Sequence, residues 1–316
     1  MSRSSMPSKA SALPKAEIGA ARSGLIAIVV AGILWGTTGV VVQLVRQSAG
    51  VSPVGVGFYR LAIAALALLV FSARQLRSAV STLRSHQRYL LLIGTGLGAY
   101  QALYFIAVAW GGVAIATVVS LGLAPVLVAG WEALRSRRRP TRAALCSMTA
   151  AVIGLALITG CTVSPTGAAP RPLLGLLAAL GSGLGYAVTT VLSRAVSQHV
   201  QPLTLTAAST AIGALMLLPF ALLSSDFTFP LRSAAAGMLA YLGIVATAVA
   251  YALFYTGLRT TAGSVAVVLT LLEPLTAAVL AVIVLGEHVS LSLAAGGGLL
   301  LGAVLIASFS TAQRPT

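Results

Sequence analysis

The chain has 316 residues, of which 58% are hydrophobic and 8% charged, and a formal net charge of +15. A mean hydropathy of +0.99, with apolar runs following one another almost without polar spacing, excludes a soluble globular protein and indicates a polytopic membrane protein. Nor does the basic surplus point to nucleic acid. A nucleic-acid binder groups its cations on a folded polar face, whereas here they sit in short gaps between apolar runs, where they set topology.

Taken in order, residues 1–22 are polar, carry Arg3, Lys9, Lys15 and Arg22, and read as a disordered cytoplasmic tail. The apolar run behind them is too long for a signal-peptide core, and no cleavage site follows it. Ten spans are expected, at residues 24–45, 53–73, 89–109, 113–134, 143–159, 173–193, 203–223, 234–258, 264–290 and 291–310. The Pro-, Gly- and Thr-rich loop 160–172 divides them into halves, 23–160 and 172–311. Placing the N-terminus inside puts sixteen of the twenty Lys and Arg residues on the cytoplasmic side and three outside, so both termini are expected to be cytoplasmic. The twentieth, Arg60, lies within span 2. Eighteen of the twenty are arginine, a usage that suggests a GC-rich bacterial genome and hence a plasma (inner) membrane.

The halves overlay on each other. Residues 24–43 align on 175–194, which puts Trp35 on Tyr186; Pro53 falls on Pro202, Phe105 on Phe254, and Pro125 on Pro274. AIAALALL (62–69) matches AIGALMLL (211–218) at six of eight positions, and the offset stays between 149 and 151 throughout. Chance likeness between apolar helices does not hold so constant an offset. Five spans per half is odd, so the second half enters the membrane from the opposite side. The expected fold is therefore all-α, ten transmembrane helices arranged as two inverted five-helix repeats, with the site near the midplane at the repeat interface.

Span 9 concentrates the chemistry. Glu273 near its middle costs about 2.5 to 3.5 kcal/mol to insert, and Pro274 leaves a carbonyl one turn back without its donor. Lipid satisfies neither, so this stretch is expected to face a wet cavity. Glu273 then has two readings: a structural hydrogen bond to a neighbouring helix, or a carboxylate that binds a cationic group or a proton. Its repeat mate is Ala124. Pro125 and Pro274 are the candidate hinges. Arg60, two turns into span 2, either snorkels to the outer interface or binds the carboxylate of an anionic or zwitterionic ligand. Trp35, Tyr100, Tyr104, Tyr186, Tyr251 and Tyr255 lie inside spans, several away from the interfacial belts. Tyr100 and Tyr104, like Tyr251 and Tyr255, share a helix face, and the set reads either as core packing or as a pocket lining to which Gln101 and Thr189 add polar groups. Glu132 is expected in an interfacial salt bridge, Glu287 and His288 at the turn into span 10.

Glycines four apart (32 and 36, 94 and 98, 181 and 185, 298 and 302) let helices approach closely in lipid. GTGLGA (94–99) imitates a dinucleotide fingerprint, but no strand precedes it and the match is rejected. No zincin, phosphate-loop or nucleophile-elbow motif occurs. No catalytic residue, metal or cofactor is expected, and an ion gradient or the substrate's own gradient is the expected energy source.

LLEPLTAAVLAVIVLGEHVS (271–290), followed by a Gly-rich last span, is similar to the signature of EamA-type members of the drug/metabolite transporter superfamily. SLGLAPVLVAGWEAL (120–134) carries Pro125 in the matching place, then departs from the pattern where Arg137 and Arg138 replace Gly286 and Glu287. Arg60 matches the arginine often found early in that family's second helix. The resemblance covers nearly the whole chain from about residue 24. It implies a plasma-membrane carrier, often an exporter of amino acids or other small metabolites, with a central cavity lined from both halves. The expected partners are a small-molecule substrate, the lipid bilayer, a coupling proton and a second copy of the chain in a homodimer, but no nucleic acid. Two alternatives stay open: a drug efflux carrier, and a non-transporting membrane scaffold or intramembrane enzyme.

Overall fold

A computed structural model describes residues 15–160, 171–223, 233–285 and 290–312. Among the described residues no strand forms, and ten helical segments are long and apolar enough to cross a membrane. Span 1 comprises the helices Lys15–Gly36 and Thr38–Ala49, and span 2 is Pro53–Phe71. Two short helices, Ala73–Ser78 and Val80–Ser85, lead into span 3 (Gln87–Gly111), span 4 (Val113–Ser136) and span 5 (Arg142–Gly160). The second half continues with span 6 (Pro172–Ser197) and span 7 (Pro202–Leu222). Span 8 is Ser233–Gly243, a π-helical stretch Ile244–Val249 and Ala250–Leu258; span 9 is Gly263–Thr270 and Leu272–Leu285; span 10 is Leu291–Ala312.

Local chemistry explains the boundaries. Ser52 caps span 2 by accepting from the Gly55 N–H at 3.1 Å, with Pro53 at the first helical position; Pro172 and Pro202 likewise stand first in spans 6 and 7, there without a side-chain cap. Spans 3 and 4 are joined through Gly112 alone at φ +86°, a conformation a side chain resists. Span 4 ends on Arg137 in the left-handed region. The helix of span 1 starts at Lys15, so residues 15–22 belong to its first turns and not to the expected tail. The π-helical stretch, absent from the sequence reading, is braced by the Thr247 hydroxyl donating to the Leu242 carbonyl at 2.7 Å.

Packing follows the two-fold relation. Span 3 lies along span 6 and span 8 along span 1; span 4 contacts span 6 and span 9 contacts span 1; spans 2 and 7, and spans 5 and 10, pair with each other. The inner core between the halves centres on Ile28, Leu61, Leu97, Leu217 and Leu269, all fully buried. Outward positions such as Leu66, Phe71, Leu173 and Ile283 are exposed, as a lipid-facing belt requires. Small residues make the close contacts. A Cβ on Gly175 would run into the backbone of Gly111, and Gly154 and Gly296 approach each other likewise between spans 5 and 10. Three of the four glycine pairs face a neighbouring helix as expected. Gly298 and Gly302 do not, since nothing lies within 4 Å of a Cβ built there.

Candidate functional site

Between the halves lies a cavity of about 290 Å³. Eight of the ten candidate residues line it: Trp35, Arg60, Tyr100, Gln101, Tyr104, Tyr186, Tyr251 and Glu273. Its wall runs from Glu273 and Tyr186 at mid-height to Val42 and Pro53, near the end of the bundle away from the termini. The break in span 9 positions the acid. Pro274 cannot bond to Thr270, the helix stops there, and a new one starts at Leu272 with Glu273 in its first turn. Span 1 breaks beside Trp35 as well, at Thr37, whose hydroxyl bonds the Leu34 carbonyl and the Tyr241 hydroxyl.

The aromatic residues brace one another across the halves. Tyr100 and Tyr251, which are 151 positions apart, join hydroxyl to hydroxyl at 2.8 Å. Trp35 packs on Tyr251 with ring centroids 4.9 Å apart, and its repeat mate Tyr186 packs on Tyr100 at 5.4 Å. Each such pair contributes about 0.5–1.5 kcal/mol beyond burial, so this cross-braced set is a rigid cavity wall. Tyr104 bonds Thr117 at 3.0 Å and Tyr186 bonds Thr270 at 3.0 Å. A buried tyrosine needs such partners.

The charged residues are paired less completely. Arg60 does not snorkel; its Nη2 donates to the Gln101 amide oxygen at 2.8 Å. Its Nε, the Trp35 Nε1 and the Thr38 hydroxyl are buried with no acceptor among the described residues. Among those residues Glu273 has no hydrogen-bond partner for its carboxyl group, and it makes no ion pair with Arg60; the one salt bridge found lies elsewhere.

That salt bridge closes the opposite end of the bundle. Glu132, near the end of span 4, accepts from the Gly263 N–H at 2.8 Å and from the Ser264 N–H and hydroxyl, and stands 3.8 Å from Arg194. The helix starting at Gly263 has no side-chain cap of its own, so a carboxylate from the other half supplies one. Arg194 Nε also donates to the Thr261 carbonyl at 2.9 Å, and the rings of His86 and His199 stack nearby at 5.7 Å. The interfacial salt bridge expected for Glu132 is thus part of a latch across the repeat interface. At the two-fold-related position, offset by 149, stands Ala281.

Two candidates lie off the cavity. Thr189 is buried against Gly96 of span 3, because its helix face turns toward that close contact. Tyr255 lies one turn beyond Tyr251, packed on it at 5.8 Å, with its hydroxyl bonded to Ser209 at 3.2 Å. Pro125 sits in an unbroken helix, so of the two candidate hinges only Pro274 accompanies a break. Glu287 and His288 fall outside the described residues. Sequence reasoning missed Thr38, Ser120 and Ser182 as lining residues. Ser120 and Ser182 donate to the carbonyls of Ala179 and Tyr100, and a lone serine in an apolar run gave no signal of that.

Ten apolar helices among the described residues, in two inverted halves with a cavity between them, define a polytopic membrane carrier. The model of the EamA-like transporter family matches residues 22–160 and again 173–309. "Uncharacterized transporter YwfM" of Bacillus subtilis is 32% identical over 226 residues, covering 71% of this chain and 73% of that protein. "Uncharacterized inner membrane transporter YicL" of Salmonella typhimurium is 30% identical over 211 residues, covering 64% and 68%. A solved crystal structure shares the fold with a TM-score of 0.77 at 22% identity, over 92% of this chain and 98% of its own. The chain belongs to the EamA-like transporter family and is a membrane transporter.

Proposed function

We propose that the chain is a secondary transporter that exports amino acids or related small metabolites by alternating access. It sits in a bacterial plasma (inner) membrane with both termini cytoplasmic. The observation that carries this reading is a cavity walled by both halves that holds two charged side chains, Arg60 and Glu273. The excess of basic residues on the tail side orients the bundle. In that orientation the cavity faces outward and the Glu132 latch shuts the cytoplasmic end. An inverted repeat can exchange the two ends, which alternating access requires. A volume of about 290 Å³ lies at the lower edge of ligand sites, roughly 300–1,000 Å³, and favours a metabolite over a bulky drug. Glu273, reachable from whichever side the cavity faces, is the site proposed to carry the coupling proton. The name of the Salmonella relative supports the membrane assignment.

The test is uptake and efflux of a metabolite panel in proteoliposomes, with and without a pH gradient. Saturable, gradient-sensitive counterflow of an amino acid or similar metabolite is expected. Permeation that does not saturate, or no counterflow of any panel member by folded protein, contradicts the proposal.

A further inference from the structure

Arg60 and Glu273 are opposite charges in the wall of one small cavity, yet they do not pair with each other. A charge withdrawn from water is costly unless it is paired or hydrogen-bonded. Arg60 has the neutral Gln101 amide as its side-chain partner, and its Nε is left over. Of the five other buried side-chain groups without a partner among the described residues, two, Trp35 Nε1 and Thr38 Oγ1, line the same cavity, and three, the hydroxyls of Thr190, Ser193 and Thr261, lie off it. The unpartnered donors in the cavity wall therefore come from spans 1 and 2. At the span 9 break stands an acceptor without a donor. The rings of Tyr100, Tyr186 and Tyr251 line the same cavity.

We infer that this cavity is a dipolar subsite: Arg60, with Trp35 and Thr38, takes the carboxylate of a zwitterion, and Glu273 takes its ammonium group. The reading rests on the transporter proposal and adds which residue reads which end. Two charges fixed in place give a selection rule. A ligand with both ends satisfies both residues, whereas a ligand missing one end leaves a protein charge unpaired. The tyrosine wall leaves the side chain free to vary among apolar and aromatic groups.

The test uses the purified full chain in lipid nanodiscs, with affinity read by calorimetry. The probes are L-leucine, L-leucine methyl ester, isopentylamine, 4-methylpentanoate and the α-aminophosphonate analogue of leucine, together with the same series built on phenylalanine. Both amino acids are expected to bind about tenfold or more tightly than their esters, amines and deaminated acids. Arg60→Gln should erase the preference over ester and amine while keeping that over the deaminated acid, and Glu273→Gln should do the reverse. Arg60→Lys should retain most of the first preference. This crossed pattern is one that a misfolded variant, losing every ligand at once, cannot produce.

Equal affinity for zwitterion, ester and amine overturns the assignment, as does failure of either amino acid to bind the native chain. Tighter binding of the phosphonate than of the amino acid overturns the carboxylate pole. Counterflow in proteoliposomes separates the two proposals. The crossed pattern without counterflow removes the transporter reading alone; counterflow indifferent to both charges removes the dipolar subsite alone.

Discussion

Replacing Glu132 by Ala removes the latch at the closed end of the cavity. The helix beginning at Gly263 loses its cap, which is worth about 1 kcal/mol, and a negative charge at its N-terminus, worth roughly 0.3–1 kcal/mol. The ion pair with Arg194 spans 3.8 Å between side chains that are 28% and 32% exposed, so it adds only about 0.5 kcal/mol. The sum is about 2 kcal/mol, or roughly a 30-fold shift toward the conformer open at this end. Glu132→Gln keeps a capping oxygen and loses the charge, which gives about fivefold. A cysteine at Thr190, a buried position on span 6, reports the shift in a background lacking Cys146 and Cys161. An impermeant thiol reagent applied to the side bearing the termini should label it about 30 times faster in the Ala variant and about five times faster in the Gln variant. Equal labelling in all three proteins, with folding intact, refutes the latch.

Other predictions concern the site and the packing. Glu273→Gln should abolish the response of counterflow to a pH gradient while leaving some substrate exchange; a response of undiminished size contradicts proton coupling at this residue. Tyr251→Phe deletes the Tyr100–Tyr251 hydroxyl contact and should lower the melting temperature by the equivalent of about 1 kcal/mol, read by tryptophan fluorescence on heating. Gly175→Val drives a side chain into the backbone of Gly111 and should cut the yield of folded protein severely, whereas Gly302→Ala, with nothing within 4 Å, should be close to neutral.

Much of this architecture is legible in the residues. Hydropathy places the ten spans because a bilayer demands long apolar helices, and the constant repeat offset fixes the relation between the halves. That offset also pairs Trp35 with Tyr186, and these two share the cavity wall with Tyr100 and Tyr251. The breaks are less legible. Pro274 and Pro125 are the same residue at matched positions, but only the stretch before Pro274 leaves helical geometry; hydrogen bonds from Tyr186 to Thr270 and from Thr270 to Val267 tie down that break. Helical spacing put Tyr255 on the cavity face with Tyr251. One further turn carries it below the cavity floor, where Ser209 meets its hydroxyl. The latch was hidden because its partners, Glu132 and residues 263–264, are 131 and 132 positions apart, and two of its donors are backbone N–H groups that no side-chain pattern announces.

Alternating exposure of one cavity is the core of the account, and distances between spin labels at the two ends address it most directly. One pair, at Arg135 and Arg259, spans the end bearing the latch; the other, at Val113 and Val284, spans the end toward which the cavity wall extends. With substrate added, or with Glu132→Ala, the first distance should lengthen as the second shortens. Two distances that stay fixed, or that rise and fall together, would contradict a carrier whose halves exchange conformations.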